Sequence, residues 1–365
     1  MYCQEFTVKS VNKSRYHWIT GAFVFRQTIN RKVDLSRFTD TTRHLTNSGI
    51  PTQGIAFYHQ STLDLLQGLS CSVGLRYDYE HARCDFSKVQ QPLNGNGETK
   101  ALEQFNRSLH FGQFTPRFSM QYLSSHNQLF YASVSKGYKA GGFNVSFLNN
   151  DDYLYSPEYN WNYEIGTKLS FLNNRLSADL SLFYIDWRNQ QITNTIPTVG
   201  NVIRNAGRSR NKGIEASFQA RPTKSWVMYM NYGYTDARFV HYQKEERGIL
   251  KDYGGNYLPM VPRHTFSLTT GYSFYDICSW IDRLTLNAGV SVTGPIYWYE
   301  DNQAKQSPYA LVNLRISINK GCFTWEAWSK NLTNTDYLSY YFVTSKAYAQ
   351  KGKPITLGTS VSISL

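Results

Sequence analysis

No stretch of this sequence approaches 18 consecutive apolar residues, which excludes a membrane-spanning helix. Acidic residues are scarce: 26 Asp and Glu face 38 Lys and Arg, for a formal charge of +12, and charged residues together make up only 18%. The five cysteines (Cys3, Cys71, Cys84, Cys278, Cys322) are odd in number and far apart, with no C-x-x-C pair, so neither a disulfide framework nor a zinc site is expected. The eight histidines are scattered without paired spacing. No nucleophile-plus-base motif or phosphate loop appears, and Gly95-Asn96-Gly97 reads as a loop tip. The sequence therefore predicts no enzyme, no metal and no cofactor. Positive charge with abundant aromatics raises nucleic-acid binding, but the basic residues are spread over loops instead of forming one stripe, so no nucleic acid is expected as a partner.

What the chain has is aromatics, with 28 Tyr, 21 Phe and 8 Trp, and alternation. In Val312–Asn319 every even position is apolar and every odd one polar, and Leu284–Ser291 repeats the pattern. Leu69, Cys71, Val73, Leu75 and Tyr77 alternate with polar neighbours, as do Leu357, Thr359, Val361, Ile363 and Leu365. Side chains of a strand point to opposite faces in turn, so each segment has one apolar and one polar face. About fifteen such segments and no helix are expected, an all-β chain.

Alternation suits a soluble sandwich, whose apolar face packs on a core, and equally a membrane barrel, whose apolar face meets lipid. Connection lengths discriminate. Tight turns are expected near Asn12-Lys13-Ser14, Ser124-Ser125-His126, Leu172-Asn173-Asn174, Pro222-Thr223-Lys224 and Lys320-Gly321. Long polar loops are expected at roughly 28–50, 80–110, 138–157, 188–201, 238–257, 296–308 and 333–351. Short periplasmic turns alternating with long extracellular loops characterise outer-membrane barrels. Aromatics at strand ends, such as Phe183, Tyr184 and Trp187, or Tyr229, Tyr232 and Tyr234, fit the girdles of such barrels. The expected fold is an antiparallel transmembrane β-barrel.

Ser133-Val134-Ser135-Lys136-Gly137-Tyr138-Lys139-Ala140-Gly141-Gly142-Phe143-Asn144 resembles a strand-and-loop signature of TonB-dependent outer-membrane receptors. Pro157-Glu158, Asn162–Lys168, Asn205-Ala206-Gly207 with Lys212-Gly213-Ile214-Glu215, and Lys330–Asn334 with Tyr337 resemble later signatures in the family's order. Gly74-Leu75-Arg76-Tyr77 matches upstream. The resemblance implies a barrel of about twenty-two strands, an N-terminal plug and a TonB-contacting segment. On that expectation residues 1–365 are the C-terminal part of a receptor barrel, incomplete at about fifteen strands, with plug and TonB box absent.

The resemblance also implies a role: binding and energised import of a ferric siderophore or similar iron chelate, with the TonB complex as partner through the plug. The alternatives are a passive porin-like or adhesin barrel, or a non-functional truncated receptor. Outer-membrane lipid and lipopolysaccharide are the expected surroundings. Loop residues Tyr242, Arg247, Lys251, Tyr253, Trp298, Tyr299, Tyr340 and Tyr341 are candidates for a cup holding an anionic aromatic chelate by stacking and charge. Glu164, Lys168, Asp179 and Glu215 lie opposite the apolar parity and are expected to face the lumen. Gly141 and Gly142 are expected to adopt positive φ. Arg204, Arg208, Arg210 and Lys212 share parity with Ile214, Ala216 and Phe218. They form an outward stripe near phosphates unless a register shift at Gly213 turns them inward.

Overall fold

In the computed structural model, structure is described for residues 1–364 except 12–13, 37–40, 94–96, 197–198, 206, 247–248 and 344–345. The expected turn at Asn12-Lys13, the tip at Gly95-Asn96, and also Arg247, Ala206 and Leu365 lie outside the described residues. Fifteen strands form the largest sheet, in chain order. They are β1 (Tyr2–Lys9), β2 (Tyr16–Leu35), β3 (Thr42–Leu66), β4 (Leu69–Pro92), β5 (Lys100–Leu123), β6 (Leu129–Lys139), β7 (Glu158–Phe171) and β8 (Leu176–Arg188). Then come β9 (Arg208–Thr223), β10 (Trp226–His241), β11 (His264–Cys278), β12 (Ile281–Thr293), β13 (Tyr309–Lys320), β14 (Phe323–Lys330) and β15 (Thr356–Ile363). The chain divides into two compact units, one of residues 1–120, 134–161 and 187–206, the other of 121–133, 162–186 and 207–365.

The ladders of the second unit align the apolar faces strand by strand. Phe218 pairs with Met230, Met230 with Leu268, Leu268 with Val290, and Val290 with Val312. Tyr272, Leu286, Ile316 and Ala327 form a second row. This face is not a core: Ile316 is 43% exposed, Phe274 43%, Val361 66% and Leu357 71%. A sandwich would have buried these side chains against a second layer, so the apolar face is built for a non-aqueous surrounding. The opposite face is polar. Glu215, Gly233, Thr265 and Thr293 align across it, and Ser217 Oγ donates to Asn231 Oδ1 at 2.9 Å. Asn231 Nδ2 in turn donates to Ser267 Oγ at 3.3 Å.

Turns fall close to the expected places. Leu172, Asn173 and Asn174 carry positive φ, as does Gly321, and the turn after Thr223 closes on Trp226. The expected loops at 28–50 and 80–110 are instead largely strand. β3, β4 and β5 have 25, 24 and 24 residues, more than twice what a bilayer crossing takes, about 9–11. Polar sequence continues as strand there because the backbone ladder runs on beyond the apolar zone.

The phase of the alternation inverts along these strands. In β4 the even positions carry Ser70, Ser72, Arg76, Asp78 and Glu80, while Val73, Leu75 and Tyr79 on the odd positions are exposed and apolar. Above Glu80 the even positions become Ala82, Cys84 and Phe86, all buried, while the odd ones become His81, Arg83 and Asp85. No register shift separates the two halves. β10 does the same: Met230 and Tyr232 give way to Asp236 and Arg238 on one face, and Asn231 to Ala237 and Phe239 on the other, the last two 2% and 1% exposed. At Tyr79 and at Tyr234 the two faces exchange apolar and polar character.

The lower half is testable by charge. Leu268→Arg places a guanidinium on the apolar face and is expected to cost about 2–4 kcal/mol of folding free energy in lipid vesicles, whereas Thr269→Arg on the polar face costs under about 1 kcal/mol. Equal costs would contradict the assignment of faces.

Candidate functional site

Loops positioned by a rigid scaffold disproportionately carry binding residues, and loop segments gather into one layer in each unit. In the first unit it contains the Gly142–Phe143/Leu154–Tyr155 and Gln191–Ile196/Gly200–Asn205 ladders with a short 3-10 turn at Asn150–Tyr153. Phe143 packs with Ala82, Cys84 and Phe86, and Phe86 stacks on Phe105 at 4.8 Å. Asn144, 3% exposed, is the clasp. Its Nδ2 donates to the carbonyls of Asp152 and Ile203, each at 2.8 Å, and its Oδ1 accepts from Ile203 N at 2.8 Å. Beside it Arg204 binds Asp152 through two bonds, of 2.7 and 2.8 Å. Gln191 N donates to Glu158 Oε2, and Lys139 Nζ stands 3.7 Å from Glu158 Oε1.

This layer explains part of the signature. Gly141 and Gly142 are absent from the positive-φ glycines, so the expected conformational reason is replaced by a spatial one. A Cβ on Gly141 would run into the Tyr155 carbonyl and the Phe111 ring, and one on Gly142 into the Tyr155 ring. Lys136 lies over the Tyr159 ring at 5.2 Å, Tyr138 stacks on the same ring at 6.1 Å, and Gly137 makes room for Asn160. In the second unit Glu164 accepts from Tyr131 Oη at 2.6 Å while the Tyr131 ring covers Gly166. Glu164 and exposed Lys168 share one parity of β7, opposite exposed Tyr163 and Ile165. Glu215 shares its face with Gly213, whose Cβ would meet the Phe183 ring and the Tyr234 carbonyl.

The second unit's loop layer joins segments 239–263, 294–308 and 331–353. Asn302 ties two of them: its Oδ1 accepts from Tyr257 N at 2.7 Å and its Nδ2 donates to the Tyr257 carbonyl at 3.0 Å. Asn256 Nδ2 donates to the Glu300 carbonyl at 2.9 Å, and Lys244 Nζ stands 3.7 Å from the Glu300 carboxylate. Leu338 N donates to Gln306 Oε1 at 2.8 Å, and Val343 N to Tyr299 Oη at 2.5 Å, bringing in the third segment.

Among the cup candidates the structure separates anchors from presented groups. Tyr242, Tyr253 and Trp298 are buried, at 5%, 5% and 6% exposure, and Tyr242 packs between Phe239 and Tyr253. Those three rings hold the layer together and offer no open stacking face. Lys251 is exposed, Tyr299 and Tyr341 are half-buried and meet edge-on at 6.2 Å, and Tyr340 is 42% exposed. The hairpin Leu338–Val343/Ala347–Lys351 adds residues that sequence reading missed. Phe342 and Tyr348 stack at 5.1 Å and Tyr340 lies 5.7 Å from Phe342, all exposed, beside exposed Lys346 and Lys351. Their strand alternation was the available signal. Among the described residues no group of three or more His, Cys, Asp or Glu has metal-binding geometry.

The profile of the family described as TonB dependent receptor-like, beta-barrel matches residues 6–334. The chain belongs to the TonB-dependent receptor β-barrel family. It is 24% identical over 354 residues to the pesticin receptor of Yersinia pestis, covering 93% of this chain and 48% of that one. A probable TonB-dependent siderophore receptor, PiuA of Acinetobacter baumannii, is 26% identical over 241 residues, covering 61% of this chain and 30% of that one. The crystal structure of the ferric yersiniabactin uptake receptor FyuA from Yersinia pestis superposes with a TM-score of 0.82 at 20% identity, covering 99% of this chain and 53% of that one. The chain spans about half the length of the relatives it matches most extensively.

The Arg204–Asp152 pair of this receptor-family chain sets a pH dependence. Hydrogen bonding from Arg204 is the main reason the Asp152 carboxyl titrates below its ordinary value of 3.8, burial opposing it. The stabilisation is therefore complete above that value and is lost as pH falls through the lower folded one. Hydrogen exchange is expected to show protection of 142–155 and 191–205 falling in that acid range, and already reduced at neutral pH in Asp152→Asn. Asn144→Ala, which orphans buried backbone groups, should cost this layer about 1–3 kcal/mol of local stability. Unchanged protection in both variants would contradict the clasp.

Proposed function

We propose that this chain forms strand wall and loops of an outer-membrane receptor that captures a ferric siderophore and imports it with energy from a TonB complex acting through a plug segment. In this reading its strands are the C-terminal part of the receptor barrel, and the apolar face lies against outer-membrane lipid. The observation that carries the proposal is the similarity, over 93% of the chain, to a curated receptor of the same family, alongside matches to siderophore receptors. The exposed apolar band and the stacked, lysine-flanked hairpin at 338–351 support it.

The ligand surface of this proposal is the hairpin carrying Tyr340, Phe342 and Tyr348, bordered by Tyr299 and Tyr341, with Lys346 supplying positive charge beside the Lys351–Asp336 pair and Lys251 a further candidate. Rings stack on aromatic chelating groups, and ammonium groups offset the negative charge of an iron chelate. Tyr242, Tyr253 and Trp298 contribute by holding the loops in place.

Fluorescence titration of the purified receptor with ferric chelates of the catecholate, phenolate and hydroxamate classes tests this. One class is expected to bind, and Tyr340→Ala with Phe342→Ala to weaken it about tenfold. Tyr242→Ala is expected to lower thermal stability instead. Tight binding of haem with no ferric siderophore bound would overturn the assignment.

A further inference from the structure

β4 and β5 are neighbours in the sheet, and two ring contacts fix how they lie against each other. Phe86 stacks on Phe105 at 4.8 Å, and Tyr77 meets Phe114 at 4.6 Å. Between these contacts β4 descends by as many residues as β5 ascends, so the pair is antiparallel and His81 falls directly opposite His110. Histidines that look scattered along the chain are thus paired by the ladder. Their ring centroids stand 4.5 Å apart with the planes at 16°. His110 is exposed and His81 half-buried, and both belong to the first compact unit.

That spacing suits an ion. A metal bound by one nitrogen from each of two imidazoles, at about 2.0–2.1 Å and an angle of about 90–110°, sets the ring centres about 4.5–5.2 Å apart. Rotation of an imidazole about its Cβ–Cγ bond swings the nitrogens and leaves the ring centre nearly in place, and that torsion is soft. His81 is the ring able to turn, since neither of its nitrogens has a hydrogen-bond partner among the described residues. His110 is held: its Nδ1 lies 3.0 Å from Tyr79 Oη, which leaves Nε2 to coordinate. A hydrogen bond on the second ring nitrogen is what orients a metal-ligating histidine. Two imidazoles opposite one another repel when both are protonated, whereas an ion between them binds both in neutral form.

The neighbours define the rest of the coordination. Gln53 is opposite His81 on β3, and the charge of Arg83 is offset by Asp85 at 3.1 Å. No third His, Cys, Asp or Glu completes a set among the described residues, so the remaining positions fall to water or a small ligand. Imidazole donors select borderline ions such as Cu²⁺, Ni²⁺ and Zn²⁺ over Mg²⁺ and Ca²⁺.

We propose that His81 and His110 form a site for one divalent transition-metal ion, of the class of Cu²⁺, Ni²⁺ or Zn²⁺, that staples β4 to β5 above Tyr79. Each imidazole gives one nitrogen, and Tyr79 positions His110 through the other. The site lies in the first unit, whereas the hairpin offered for an iron chelate lies in the second, so this ion is held by the strands and is not cargo.

Titration of the whole protein in detergent with Cu²⁺, Ni²⁺, Zn²⁺ and Mg²⁺ tests this, read by calorimetry and, for Cu²⁺, by electron paramagnetic resonance. Cu²⁺ is expected to bind most tightly, with Ni²⁺ and Zn²⁺ weaker, no Mg²⁺ bound, and a spectrum showing two nitrogen donors. His81→Gln and His110→Gln should each lose about tenfold or more in affinity and one nitrogen from the spectrum. Tyr79→Phe should lose about tenfold and keep both nitrogens. His126→Gln, in a turn, should bind as the parent does. Zn²⁺ should raise the melting midpoint of the parent and of neither Gln variant. If a Gln variant does not fold, carbethoxylation of the parent reads the site without substitution, with His81 and His110 protected by the ion. Undiminished binding in both Gln variants, a single nitrogen donor in the parent, or carbethoxylation unaffected by metal would overturn the proposal.

Discussion

In the membrane setting proposed for this chain, one constraint governs the structure: a strand crossing hydrocarbon must give every backbone N–H and C=O a partner in the next strand, because lipid offers none. Between neighbouring strands of the sheet the chain does this with ladders that keep register over long distances, as in the pairing of β2 with β3 from Tyr16 to Leu35. Side chains are then free to do the opposite of what a soluble sheet requires. Leu286, Ile316 and Val361 stand exposed on one face, while Ser217, Asn231 and Ser267 bond to each other on the other. The apolar face is not covered by an internal core.

That arrangement ends part-way along the strands. Where β4 passes Tyr79 and β10 passes Tyr234, the same backbone alternation continues while the polarity of its two faces is exchanged. Above that height Cys84, Phe86 and Phe239 pack inward and form small cores on which loops rest. The loop layers are consequently ordered by ordinary aqueous packing and by buried polar clasps, Asn144 in one unit and Asn302 in the other. At the exchange on β9 and β10, Arg210, Lys212 and Arg238 follow Ile214 and Tyr234 on the same face, with the Tyr184 and Tyr257 rings beside them.

Strand number, the exposed apolar face and the family were legible in the sequence because they are written in local period-two patterns such as Leu284–Ser291, and in short motifs. The exchange of faces was not. Ala82, Cys84 and Phe86 alternate with His81, Arg83 and Asp85 as regularly as the residues below them, and the flip shows only when the surroundings are known. The loops expected at 28–50 and 80–110 are largely strand for the same reason: polar sequence does not by itself end pairing. Gly141 and Gly142 were placed correctly but explained wrongly, since crowding by Tyr155 requires a pairing 13 or more residues away. The clasp made by Asn144 depends on Ile203, a contact across 59 residues that no local pattern encodes. Burial likewise separated Tyr242, Tyr253 and Trp298 from the exposed Tyr340, a division that composition alone does not make.

The central claim is that the aliphatic side chains of this sheet touch acyl chains. It is tested most directly by attaching an environment-sensitive fluorophore at Leu286→Cys and at Asn287→Cys, with the native cysteines replaced by serine, in vesicles whose acyl chains are brominated. Strong quenching at 286 and little at the adjacent 287 is the predicted result. Equal quenching at both positions, or none at 286, would contradict it.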